Sequence, residues 1–208
     1  MRAHTRMGAG VLALAALAGS AQMATAKDKA AQSSLLAGSE CAALTYSQAL
    51  LGLGDTNLYT LAPQGSFEDA IDGWRISGGA SVVGDAGYPA GPVADTRALE
   101  LSPGASATSP PVCANASTPI FRYFVRAMAA NAGDYTVSVE YLDAYGGKVK
   151  GSLNLAAGTA WKPSPKLGVQ TNKIATDASG WGHIQITLTA PANSALRIDD
   201  LYMDPKMR

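Results

Sequence analysis

The stretch Gly65-Ser-Phe-Glu-Asp-Ala-Ile-Asp-Gly-Trp74, continuing through Arg-Ile-Ser-Gly-Gly-Ala-Ser-Val-Val83, decides how the chain is read. It predicts the opening strand and first turn of a β-sandwich. Phe67 and Trp74 are large apolar anchors, and Asp72-Gly73 supplies a tight turn before the next extended run. Glu68 is the one carboxylate set beside an anchor. Its counterpart is Leu196-Arg-Ile-Asp-Asp-Leu-Tyr-Met-Asp204, where two adjacent acids sit between apolar strand residues. An acid at the first strand and acids in the last make sense together if those two strands lie side by side.

Working outward, Leu58-Tyr-Thr-Leu61 predicts a short strand before the anchor stretch, and Arg75-Ile76, Ala80-Val83 and Ala98-Ser102 predict three more after it. The run from Ala105 to Cys113 is small-residue and broken by Pro110-Pro111, which suits an edge strand or a connection. The clearest period-two patterns follow. Phe121, Tyr123 and Val125 alternate with Arg122, Phe124 and Arg126; Tyr135, Val137, Val139 and Tyr141 alternate with Thr136, Ser138 and Glu140. Further extended runs start at Lys148 and Trp161, and Ile184, Ile186 and Leu188 alternate with Gln185, Thr187 and Thr189. About nine or ten short strands at this spacing predict an all-β, antiparallel sandwich over residues 58–208. No repeat of fixed period is visible.

Residues 1–26 read as a cleavable export signal: Arg2 and Arg6, an apolar run through Val11-Ala18, then Ala24-Thr-Ala26. The expected location is therefore secreted, and no later run approaches the roughly 20 apolar residues of a membrane-spanning helix. Removal of the signal leaves 182 of 208 residues, enough for one core. Residues 27–57, rich in Ala, Ser, Gln and Leu, read as an irregular N-terminal arm with room for one short helix. Without Arg2 and Arg6 the balance is 14 basic against 16 acidic residues. Nothing here neutralises phosphates, so nucleic-acid binding is set aside. Cys41 and Cys113 are the only cysteines, and in an exported chain they predict one disulfide that tethers the arm. A reactive thiol or a metal ligand is the other reading, with no second Cys or His at ligand spacing in the sequence.

Phe67-Glu68, then Gly73-Trp74, Ala98-Leu99, the late Trp161 and Ile198-Asp-Asp-Leu201 together resemble the jelly-roll, galactose-binding-like carbohydrate-binding modules of families 4, 9 and 22. The resemblance runs from about Leu58 to Pro205. The chain is also similar to a group of secreted actinobacterial proteins in which Ser106-Ala-Thr-Ser-Pro-Pro-Val-Cys113 and a closing Ile-Asp-Asp strand recur. The carbohydrate-binding families imply a structural calcium ion, held by Glu68 with Asp199 or Asp200 and by backbone carbonyls. Strict alternation puts Asp199 and Asp200 on opposite faces, so without a bulge only one of them reaches such an ion. An ordinary surface ion pair, for instance with Arg197, is the competing reading.

Catalysis is hard to assemble from this inventory. His183 is the only histidine after the signal, no serine lies in a nucleophile elbow, and no pair of carboxyls is set by spacing. The expected function is a secreted, monomeric, non-catalytic binding module for a glycan or cell-envelope polymer; the alternative is an extracellular structural or protein-interaction domain. Sugar binding needs exposed ring faces beside polar groups. Phe124 between Arg122 and Arg126, on the face opposite the Phe121 row, is the leading candidate platform, with Trp181 beside glycines as a second ring. Tyr145 and Tyr88 are weaker candidates. Trp74 and Trp161 match packing positions of the resembled modules.

Overall fold

The computed structural model describes residues 41–69, 71–85 and 95–204. The expected export signal, the first part of the arm and Tyr88 lie outside them. Thirteen strands are described: β1 (Thr60–Leu61), β2 (Arg75–Ser77), β3 (Ala80–Gly84), β4 (Arg97–Leu101), β5 (Ser106–Thr108), β6 (Val112–Ala114), β7 (Ile120–Ala127), β8 (Tyr135–Leu142), β9 (Lys148–Leu155), β10 (Lys162–Pro163), β11 (Leu167–Gly168), β12 (Gly182–Thr189) and β13 (Leu196–Asp204). They form two sheets. One runs β10-β7-β13-β4-β3, with β1 beside β13 and β11 beside β7; the other runs β2-β5-β12-β8-β9, with β6 beside β12. Every pairing is antiparallel.

The alternating rows become the inner layer. Phe121, Tyr123 and Val125 of β7 and Leu99, Leu101 and Ile198 of the same sheet meet Val137, Tyr141, Ile184, Ile186 and Leu188 of the other. Each such buried side chain contributes roughly 1.5–3 kcal/mol over leaving it in water. The polar tips of two aromatic residues satisfy each other inside this layer: the Tyr123 hydroxyl donates to that of Tyr135 at 3.0 Å. Burial holds the Tyr123 phenol far above its ordinary range.

The first and last described strands do meet, but the first is a different element from the one expected. Residues 65–69 and 71–74 are turns, bends and irregular backbone rather than a strand. Gln64 and Phe67 adopt φ of 54° and 56°, which breaks any extended run. Gly65 is pressed so close to β13 that a Cβ would stand 2.9 Å from the Leu201 carbonyl. β1 takes the expected place, pairing Thr60 with Met203 and Leu61 with Tyr202. The Ala62 amide donates to the Leu201 carbonyl at 2.8 Å and the Leu201 amide to that of Gly65 at 2.9 Å. Phe67 and Trp74 remain anchors, with buried rings 5.1 Å apart that plug the core. Ala105 to Cys113 also differs from a simple edge: β5 is inserted between β2 and β12, and β6 continues along the same side of β12.

Within the described part of the arm, 41–57, the helical turns are 3₁₀ turns at Cys41–Ala43 and Leu51–Leu53. Cys41 is disulfide-bonded to Cys113 on β6. The arm then crosses the outer face of the β7–β13 sheet, where Ala49, Leu50 and Tyr59 bury a second, smaller cluster against Phe124 and Tyr202.

Candidate functional site

Three regions gather side chains with the chemistry of a site: the acids of β13 and the outer face of β7, both expected, and the open edge at β9, which was not. At the first, β13 bulges between Asp199 and Tyr202, and Asp200 adopts φ of 50°. The bulge removes the alternation that would have separated the two acids, and both are buried. Asp199 accepts the Asp200 amide on Oδ1 at 2.8 Å, while its Oδ2 is buried with no donor. Glu68 lies across from them, its Oε1 accepting the Thr96 and Arg97 amides at 2.9 and 2.7 Å and its Oε2 accepting the Thr96 hydroxyl at 2.7 Å.

Asp95 completes the group. Its carboxyl lies within hydrogen-bonding reach of both Glu68 and Asp199, and neither of its buried oxygens has a donor. The sequence reading missed this residue. Its signal was an acid immediately ahead of β4, the strand paired with β13, inside a loop rich in Gly, Pro and Asp.

Among the described residues no Lys or Arg side chain forms an ion pair with Glu68, Asp95, Asp199 or Asp200. Burial, then mutual repulsion, pushes Asp200 up to about 7 and Asp199 further, and burial with the neighbouring Glu68 pushes Asp95 up to about 6. The hydrogen bonds from Thr96 and Arg97 keep Glu68 below its ordinary value against the opposing effect of burial. Buried acids with orphaned oxygens and no cation carry the donor set of a hard metal ion. Glu68 is already committed to holding the 95–97 segment in place, which leaves both oxygens of Asp95 and Oδ2 of Asp199 as those without a donor.

The raised acids have a consequence for pH. A carboxyl whose folded-state pKa exceeds its unfolded value holds a proton that the unfolded chain has released, so stability falls as pH rises between the two values. Without a divalent cation, the thermal midpoint is expected to be higher at pH 5 than at pH 8, the loss running from about 4 up through the values of Asp95 and Asp200. Differential scanning calorimetry in chelator checks this. A midpoint that rises steadily from pH 5 to pH 8 would contradict the assignment.

The second region corrects the expected platform. Phe124 is 1% exposed, sealed by Leu50, Tyr59 and Tyr202, so it offers no ring face. Arg122 faces Asp55 of the arm at 3.5 Å. Arg126 is paired with Asp85 and lies over the Trp161 ring, 5.3 Å from its centre. Arg197 bridges Asp85 and Glu100, each at 2.7 Å. The arm and this ion network consume the face that a sugar would need. Trp181, the other predicted ring, is half-buried at the start of β12, its amide donating to Asp177 at 3.0 Å. Tyr145 is 98% exposed in the β8–β9 turn.

The third region carried no expectation. The two sheets part at β9, which among the described residues pairs only with β8, and leave a cleft of about 480 Å³ between β9 and the 166–170 segment. Phe121, Val139, Tyr141 and Leu167 line it, and Leu153 is half-exposed at its lip. Lys150, Lys166 and Gln170 border it, and none of the residues that line it is acidic. As an edge strand, β9 also turns every second backbone N–H and C=O outward. The outer face of the same sheet is polar across five strands: Arg75, Thr108, Thr187, Ser138 and Ser152 stand in one row, with no aromatic residue among them.

No protein-family model and no curated protein matches the chain. Among solved structures it is similar to the enzymatically active domain of bacteriophage CBA120 tailspike protein 4, at 16% identity and a TM-score of 0.47, covering 69% of this chain and 21% of that one. It is similar to the family 61 carbohydrate-binding module solved with β-1,4-galactotriose, at 15% identity and a TM-score of 0.42, covering 70% and 98% of the two chains. It is also similar to the CBM22-1 xylan-binding domain of Paenibacillus barcinonensis Xyn10C, at 14% identity and a TM-score of 0.47, covering 69% and 92%. The chain thus spans about a fifth of the tailspike domain and nearly all of the two binding modules. In fold it is similar to jelly-roll carbohydrate-binding modules, and the likeness concerns the fold alone.

Proposed function

We propose that the chain is an exported, non-catalytic glycan-binding module that takes its ligand in the β9 cleft. The observation that carries this reading is the cleft's composition: an apolar wall of Val139, Val149 and Leu153, beside Gln170, two lysines and the outward backbone groups of an edge strand. A sugar presents apolar C–H faces and a rim of hydroxyls, which asks for that pairing of surfaces. The volume is that of an ordinary small-ligand pocket. Glycoside hydrolysis needs two carboxyls across the scissile bond, and the cleft's lining supplies none. A calcium ion at Asp95, Asp199 and Asp200 would neutralise the buried charge and lock the β13 bulge, a structural role away from the ligand.

The free β9 edge also favours a second reading, a protein-interaction domain that captures an extended peptide by strand addition. Calorimetric titration of the chain with xylo- and galacto-oligosaccharides separates the two. Binding is expected for wild type and at least tenfold weaker binding for Leu153→Glu, which sets a charge on the lip without touching the core. Wild type that binds no oligosaccharide would remove the glycan reading and leave the peptide one.

A further inference from the structure

Sequence spacing hid one more cluster. His183 stands directly across from Cys113 in the β6–β12 pairing, so their side chains share a face of the sheet. The disulfide brings Cys41 to the same spot, where its Sγ is 3.4 Å from His183 Nε2. The two sulfurs and the imidazole nitrogen all lie within 4.8 Å of one another. The two cysteines are buried and His183 is half-buried, so the group reaches solvent on the histidine side.

We propose that these three residues form a Cys2His site for a thiolate-seeking divalent cation, zinc being the type, once the disulfide is reduced. A tetrahedral zinc ion at its usual bond lengths sets its ligand atoms roughly 3.5–3.8 Å apart. The Cys41–His183 distance already approaches that value, and the sulfurs part by rotation about their Cα–Cβ bonds while the backbone, with Cα atoms 5.7 Å apart, stays in place. The chemistry balances with a dithiol or phosphine reductant. Two electrons from the reductant break the S–S bond, and two protons from the medium complete two thiols. Zn²⁺ then displaces both thiol protons into solvent and takes neutral Nε2 of His183 as its third ligand. The fourth position, on the half-buried side, holds water, as in open zinc sites. The metal clip closes the same 72-residue separation as the disulfide, so the arm stays fastened when the bond is lost.

The test uses the chain reduced with a phosphine in metal-free buffer and titrated with Zn²⁺ alone. One zinc per reduced chain is expected, with a raised thermal midpoint. The oxidised chain is expected to bind at least a hundredfold more weakly, which separates this site from the carboxylate cluster. His183→Ala, reduced, is expected to bind at least tenfold more weakly. Cobalt in place of zinc is expected to show a sulfur-to-metal charge-transfer band that Cys113→Ser weakens and the double variant Cys41→Ser, Cys113→Ser lacks. Equal binding by reduced wild type and His183→Ala, or by oxidised and reduced wild type, overturns the proposal. If reduction unfolds the chain, zinc must restore its near-ultraviolet circular dichroism, and failure to do so overturns it equally.

Discussion

Replacing Cys41 and Cys113 together by serine is expected to lower stability by about 4 kcal/mol, because the bond closes a 72-residue separation whose freedom the unfolded chain regains. For a chain of this size that corresponds to a drop in thermal midpoint of roughly 8–16 °C. The loss has a location. Cys41 fastens the start of the arm to β6, while Leu50 and Tyr59 cover Phe124 on the opposite sheet. Freed at one end, the arm opens first, and the apolar surface at Phe124 and Tyr202 becomes exposed. Denaturant melts of wild type and double mutant, with limited proteolysis read at residues 41–59, check both statements. Equal midpoints, or cleavage confined to other loops, would show that the arm holds without its staple.

Calcium is expected to act at the other end of the chain's closure. At a concentration a hundred times its dissociation constant, a ligand that binds only the folded state adds about 2.7 kcal/mol. Here that is roughly 5–11 °C in midpoint. The gain should be larger at pH 8 than at pH 5, since protons and the cation compete for the oxygens of Asp95, Asp199 and Asp200. Burial and its acidic neighbours keep Asp199 protonated at pH 8, and asparagine is its neutral isostere, so without calcium Asp199→Asn is expected to match wild type there. In calcium it should lose most of the gain. Scanning calorimetry of both proteins with calcium and with chelator gives the answer, and a wild-type midpoint indifferent to calcium would remove the ion from the account.

What could be read from the sequence was local. Period-two alternation in 120–126, 135–141 and 184–188 placed the inner rows on the correct face, because side-chain direction in a strand depends only on its neighbours. The misreadings all involve distant or non-alternating geometry. Residues 65–74 have the anchors of a strand but positive φ at Phe67, which no composition rule reveals. Phe124 has the pattern of an exposed ring and is buried by Leu50 and Tyr59, more than sixty residues upstream. Asp199 and Asp200 reach one site only because β13 bulges there. Asp95 and His183 are ordinary in sequence and become site residues through strand pairing, which puts β4 beside β13 and Cys113 opposite His183. The β9 cleft has no sequence signature at all, since it arises where two sheets of unequal extent part.

The binding claim is tested most directly by recording backbone amide NMR spectra of the ¹⁵N-labelled chain during titration with a xylo- or galacto-oligosaccharide. The account predicts saturable shifts concentrated at Phe121, Val139, Tyr141, residues 149–153 and residues 167–170, and none on the Phe124 face beneath the arm. Shifts confined to the outer faces of the sheets, or no shifts at any oligosaccharide concentration, would contradict it.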